Sequence, residues 1–229
     1  MFGINLSMPY KQAVIPYLDD LTESARLIGA VNTVFHQDGL LIGHNTDGIG
    51  FFKSLETLRA FHVRNKRLTI LGGGGASTAI IAQAAIDGAK EITIFCRPQS
   101  VERTVATVQT IAQTTGVSLQ VLPNNDSQLL AEHINNSDLL INGTSVGMDG
   151  TSLPLPATIR FPEELLVADV IYQPFETPLL KMANSQGNPT INGLGMLLFQ
   201  AAEAFELWTG KEMPTDLIWQ LLVQKYDIK

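Results

Sequence analysis

The sequence predicts an α/β protein: a doubly wound parallel sheet joined to a smaller α/β unit. Three observations predict it. Through the middle of the chain, short apolar strand patterns alternate with helical ones, which argues for a parallel sheet covered on both faces. One of those strands, Arg67–Leu71, runs into Gly72, Gly73, Gly74 and Gly75 and then into a small-residue helix. That order makes a phosphate site, because free N–H groups and the helix dipole point at the anion. Finally, 229 residues with 45% hydrophobic content suffice for a packed core and set a prior of one or two domains.

The elements follow in order. Residues 3–7 read as a strand and 9–18 as a helix, with Pro9 suited to the first helical position, where its missing N–H would be unpaired anyway. Lys11 then falls in the first turn, near the positive end of the helix dipole, a placement suited to a proton-transferring lysine. A short helix over 22–29 has Thr22 as its N-cap. Strands over 31–35 and 40–43 meet at Asp38-Gly39, a hairpin signal. A helix opens near Thr46 and Asp47 and runs to about Leu58. Past the glycines come a helix over 76–86, a strand over 91–96 and a helix over 101–114. Strands over 118–122, 139–142 and 166–171 complete the alternation. The end is helical: 193–208 has apolar residues at helical spacing, Gly210 is a stop, and Pro214 opens a last helix.

Composition excludes several classes. The net charge is −7, with no Lys/Arg-rich block, so no nucleic-acid partner is expected. No run approaches the roughly 18 apolar residues of a membrane span, and no basic segment precedes an apolar stretch as in a signal peptide. Cys96 is the one cysteine. It excludes an intrachain disulfide and thiolate clusters, and fits a reducing cytoplasm. His36, His44, His62 and His133 lack metal-ligand spacing, so no metal is expected.

Two constellations carry chemistry. Gly72 and Gly74 fit the first two glycines of G-x-G-x-x-G, with Ser77 in place of the third. A dehydrogenase using NAD usually has Asp or Glu about 20 residues on, at the end of the next strand, to hold the ribose 2′-OH. Here that strand ends Phe95-Cys96-Arg97-Pro98-Gln99, without a carboxylate. Arg97 can pair with a 2′-phosphate instead, which leans towards NADP with NAD as the other choice. The second constellation is Asn45-Thr46-Asp47-Gly48 together with Lys11. Alone, the aspartate would be an N-cap and the lysine a surface residue. Beside a nucleotide-binding unit, the pair can hold a hydroxyl and manage its proton while hydride leaves the same carbon.

With these motifs in hand, the chain resembles the shikimate dehydrogenase family, and most of all its quinate/shikimate dehydrogenase branch. N-[VL]-[TS]-x-P-x-K stands at Asn5 to Lys11, G-A-[VI]-N-T at Gly29 to Thr33, and N-T-D-G at Asn45 to Gly48. The G-A-G-G-A loop is matched by Gly72 to Ala76, N-x-T-S-x-G-M by Asn142 to Met148, Y-x-P-x-x-T-P by Tyr172 to Pro178, and G-x-G-M-L-x-x-Q by Gly193 to Gln200. The blocks come in family order along nearly the whole chain.

The resemblance implies a Rossmann-like nucleotide domain over 47–193 and a substrate domain from 1–46 and 194–229. It implies reversible NAD(P)-dependent oxidation of the 3-hydroxyl of shikimate or quinate, in the shikimate pathway of aromatic amino acid biosynthesis. Lys11 matches the catalytic lysine and Asp47 its partner. Ser7, Asn32, Tyr172 and Gln200 match substrate-contacting positions. Gly72, Gly74, Gly75 and Ala76 match the pyrophosphate loop, Arg97 the basic residue of the N-R-T loop, and Thr144, Ser145, Gly193 and Met196 the nicotinamide side. No metal is needed. The family's strand–helix–strand–helix opening, with an S-x-S motif for the substrate carboxylate, has no counterpart before Asn5. That difference raises a rival reading, a nucleotide-binding fragment impaired in catalysis. It also leaves a sheet edge uncovered, an association hazard that points to either a homodimer or poor solubility. An amino-shikimate or related cyclohexane-carboxylate dehydrogenase would differ only in pocket residues.

Overall fold

The computed structural model describes residues 3–226, which build two sheets joined by helices. The outermost residues of the expected substrate domain, 1–2 and 227–229, lie outside the described residues. The first sheet holds β1 (Gly3–Asn5), β2 (Asp20–Leu21), β3 (Thr33–Gln37) and β4 (Leu40–His44), in the order β1-β3-β4-β2. The expected hairpin is β3–β4, antiparallel, with both Asp38 and Gly39 at positive φ as a two-residue turn requires. Between β1 and β3 lie α1 (Tyr10–Ala13), a 3₁₀ turn (Ile15–Tyr17) and α2 (Glu23–Ile28). As expected, the Thr22 hydroxyl caps α2, accepting from Ala25 N.

The expected helix over 9–18 is corrected. Pro9 precedes α1 instead of opening it, and α1 is a single turn. Pro16 explains the break: it cannot donate a helical hydrogen bond and clashes with the preceding turn, so the chain tightens into a 3₁₀ turn. A one-turn helix has no extended dipole, so the dipole argument for Lys11 falls with the helix. The strand expected over 3–7 likewise stops at Asn5.

The second sheet holds β5 (Arg67–Leu71), β6 (Glu91–Cys96), β7 (Ser118–Pro123), β8 (Leu139–Asn142), β9 (Leu166–Asp169) and β10 (Thr190–Ile191). All its pairings are parallel, in the order β10-β9-β8-β5-β6-β7. Counted within the sheet, this is the doubly wound order 3-2-1-4-5-6, which reverses between β5 and β8 and opens a ligand crevice there. Its helices are α4 (Gly75–Ile86), α5 (Val101–Thr115), α6 (Ser127–Asn135) and α7 (Pro178–Ser185). α6 and α7 fall outside the expected elements, yet both carry start signals. Asp126 accepts from Gln128 N and Leu129 N, and Thr177 caps a helix that opens on Pro178.

The core lies around α4, whose Ile80 and Ile81 are fully buried with Leu68, Ile70, Ile92 and Leu139. A helix apolar on all sides must be covered on all sides. The sheet covers one face of α4 and α3 (Asp47–Arg59) packs against another. α3 also packs along α8 (Leu194–Thr209), and α9 (Thr215–Tyr226) follows the Gly210 stop. A Cβ on Gly50 would sit 2.4 Å from Gln200 N, so the two helix backbones touch. α8 also reaches the first sheet, where Trp208 Nε1 donates to Val34 O at 3.0 Å.

Candidate active site

Lys11 and Asp47, 36 residues apart, meet in one cleft. Lys11 Nζ lies 2.6 Å from Asp47 Oδ2, with side-chain exposures of 23% and 14%. α1 supplies the lysine, and the start of α3, directly after β4, supplies the carboxylate. Asp47 is held from its other side: Asn32 Nδ2 donates to Asp47 Oδ1 at 2.8 Å and to Thr46 Oγ1 at 3.0 Å. Asn32 Oδ1 accepts from Thr46 N and Thr33 Oγ1, both at 2.9 Å. Asn32 thus fixes the carboxylate's orientation, a role that local sequence does not reveal. Asp47 takes one of the three ammonium donors.

The cleft, about 420 Å³, is lined by Ser7, Lys11, Asn32, Asp47, Tyr172 and Gln200, every expected catalytic and substrate residue. Gly193 and Met196 line it too, on the Lys11 side and not in the glycine-loop cavity. Gln200 is tied to Thr46, whose Oγ1 donates to Gln200 Oε1 at 3.4 Å. Asn5, which sequence reasoning passed over, also lines this cleft, donating to Asn32 O and Thr33 Oγ1.

A second cavity, about 410 Å³, opens where the strand order reverses. Gly72, Gly74, Arg97, Thr144 and Ser145 line it as expected, joined by Arg103, Asn124 and Cys96. Gly75 and Ala76 form the first turn of α4, with Gly74 as N-cap. A Cβ on Gly74 or Gly75 would meet nothing within 4 Å, so the space over the helix N-terminus is open. Gly72 has φ +99°, which L side chains rarely adopt. Ser77 in the third glycine position is explained by packing. It is fully buried, with Oγ donating to Gly143 O at 3.3 Å, and the clearance comes from Gly143 across the contact. Arg103 was missed because its position is set by α5, though a second arginine one helical start beyond Arg97 was visible. The residues present fit a phosphorylated dinucleotide, with open N–H groups at one end and two guanidinium groups near the end of β6.

Beneath both clefts sits Asp169, at the end of β9 and 0% exposed. Burial pushes its carboxyl up to about 6, against hydrogen bonds from Ile171 N, Asn142 and Thr177 that pull it down. Because its ordinary value is 3.8, the folded chain holds this proton more tightly than the unfolded chain between about pH 4 and 6. The group's contribution to stability is therefore greatest in acid and falls by about 3 kcal/mol as pH rises through that window. Urea unfolding should show Asp169→Asn gaining on the parent by about that amount from about pH 4 to 7. A difference constant with pH would mean that ionisation carries no such cost.

Comparison with known proteins gives a consistent picture. The model of the shikimate dehydrogenase substrate binding domain matches residues 1–34, and that of the shikimate 5'-dehydrogenase C-terminal domain matches residues 193–223. The shikimate dehydrogenase (NADP(+)) of Streptococcus suis is 83% identical over 229 residues, 100% of this chain and 79% of that protein. The structure of shikimate 5-dehydrogenase from Listeria monocytogenes in complex with shikimate and NAD superposes with a TM-score of 0.91 at 44% identity. It covers 97% of this chain and 78% of that one. Quinate dehydrogenase from Corynebacterium glutamicum in complex with NAD has a TM-score of 0.86 at 29% identity, over 98% of this chain and 78% of that one.

Proposed function

This chain belongs to the shikimate dehydrogenase family, and from that premise we propose that it is an NADP-dependent oxidoreductase acting on the 3-hydroxyl of shikimate. The observation that carries the reading is the Lys11–Asp47 pair, set in a cleft with Ser7, Asn32, Tyr172 and Gln200. Shikimate is favoured over quinate because the relative at 83% identity is a shikimate enzyme, whereas the quinate enzyme stands at 29%. Nothing in the comparisons supports the rival reading of an impaired nucleotide-binding fragment.

The chemistry follows from the residues. In ketone reduction the Lys11 ammonium gives a proton to the forming alkoxide as hydride reaches the carbon, and in the oxidation direction its neutral amine takes the hydroxyl proton back as hydride leaves. Asp47 holds Lys11 and orients the hydroxyl, and Asn32 keeps Asp47 in place. Gln200, Ser7 and Tyr172 supply polar contacts for the remaining substrate hydroxyls. A bound nicotinamide supplies the hydride acceptor. Gly72, Gly74, Gly75 and Ala76 would take its pyrophosphate, Arg97 and Arg103 its 2′-phosphate, and Thr144 and Ser145 the side facing the substrate.

The division into a substrate domain of 1–46 with 194–229 and a nucleotide domain of 47–193 is part of this reading. The first sheet ends at His44, the second begins at Arg67, and α8 returns to β3. The homodimer expectation rests on β1 as an outer strand; a single monomer mass in sedimentation would remove it. The cytoplasmic expectation rests on the lone Cys96. Among the described residues no helix is long and apolar enough to cross a membrane.

The test is steady-state nicotinamide reduction with shikimate and quinate, each against NADP and NAD. Turnover of shikimate with NADP is expected, and none with any pair would reject the reading. In the same assay Arg97→Ala should raise KM for NADP by roughly 10–100-fold, the worth of a hydrogen bond between charged groups. KM for NAD should hold within about twofold, since that cofactor lacks the 2′-phosphate. Equal loss for both would place Arg97 elsewhere on the nucleotide.

A further inference from the structure

The two cavities are lined by different residues, and one carboxylate bonds to groups that adjoin both linings. We propose that Asp169 is a positioning residue that fixes, from one buried site, the 143–146 loop against the nucleotide cavity and the 170–172 turn against the catalytic cleft. On one side, Asn142 Nδ2 donates to both Asp169 oxygens at 3.1 Å and to Val146 O at 3.0 Å. The same amide's Oδ1 accepts from Thr144 N at 3.1 Å and Thr144 Oγ1 at 2.7 Å. Gly143, Thr144, Ser145 and Val146 all line the glycine-loop cavity. On the other side, Ile171 N donates to Asp169 Oδ1 at 3.0 Å, between Val170 and Tyr172 of the Lys11 cleft. Thr177 Oγ1, at the start of α7, donates to Oδ2 at 2.8 Å.

The chemistry of the contacts calls for a carboxylate. Every partner presents a donor, and two carboxylate oxygens can accept them all, whereas an amide would turn its own N–H groups on one of them. The groups acting on the carboxyl are Ile171 N–H, Asn142 and Thr177, and no charged side chain is among them. An unpaired carboxylate in the core is costly to ionise, and packing alone would be served better by an apolar residue. A cost kept at the junction of two cavities points to a need there.

The inference rests on the assignment of the cavities to nucleotide and substrate, but its main test needs neither ligand. Hydrogen exchange is measured on the parent protein and on Asp169→Asn. In the parent, opening of either segment lets water reach Asp169, whose buried carboxyl holds its proton more tightly than a hydrated one, so protection of the 143–146 and 171–172 amides should rise together, by about tenfold, as pH drops from about 7 to 5. In Asp169→Asn both segments should be weakly protected at either pH, with the first sheet unchanged. Kinetically, the variant should raise KM for both shikimate and NADP by roughly 10–100-fold. A merely structural role would reduce the amount of active enzyme and leave KM alone. Response of one segment without the other, or equal loss of protection throughout the chain, overturns the proposal. A variant that fails to fold leaves the parent measurement to decide. Absence of turnover in the parent counts against the proposed activity, with exchange still deciding the role of Asp169.

Discussion

Lys11→Ala is expected to lower kcat by about 10²–10⁴-fold, the span of a positioned proton-transfer group, while NADP affinity stays within a few-fold. The reason is spatial. Lys11 lines the cleft with Asp47 and Gln200, whereas the glycine-loop cavity is built from residues 71–154. The stability change should be small. Asp47 keeps its bond from Asn32, and a partly exposed ion pair is worth about 0–1 kcal/mol. The check is kcat by steady-state assay alongside nucleotide affinity by fluorescence titration. A matching loss of nucleotide affinity would reject the assignment of Lys11 to the hydroxyl.

Gly50→Ala is expected to be nearly as severe, by a different route. The added Cβ would lie 2.4 Å from Gln200 N and 2.8 Å from Gln200 Cα. These are backbone atoms of a packed helix, so α3 and α8 must separate. Overpacking of this kind costs about 1–3 kcal/mol. α3 carries Asp47 at its first turn and α8 carries Gln200 and Met196, so separation also widens the cleft between them. A displacement of about 1 Å can cost about 10²-fold in rate. Urea unfolding and kcat/KM should therefore fall together in this variant. A destabilised protein with unchanged kcat/KM would show that the helix contact does not set the cleft geometry.

Much of the site was legible before the structure, because its signals are local. The glycines after β5, the Asp38-Gly39 turn, the Thr22 cap and the Gly210 stop each depend on a few adjacent residues. The ordered motifs marked Lys11, Asp47, Asn32 and Gln200, which the fold gathers into one cleft. Local reading failed where one residue broke a pattern, as Pro16 did in the expected 9–18 helix. It failed again where an element was too short to show a period, as with β2 and β10. Asp126 and Thr177 cap α6 and α7 through residues two or three positions on, signals as local as the Thr22 cap.

The sequence by itself determined the α/β class, the alternation of elements, the glycine loop and the candidacy of Lys11 and Asp47. Periodicity, caps and turn residues act over a few positions, and so they survive in a linear reading. Only the tertiary structure decided the strand order, the addition of Arg103 to the Arg97 cavity and the hold of Asn32 on Asp47. It alone set Asp169 beneath both clefts. Those arrangements depend on groups brought together across 27 residues, as for Asn142 and Asp169, or 154, as for Thr46 and Gln200. Sheet order and helix packing bring such partners within hydrogen-bond reach, and no local pattern carries that information.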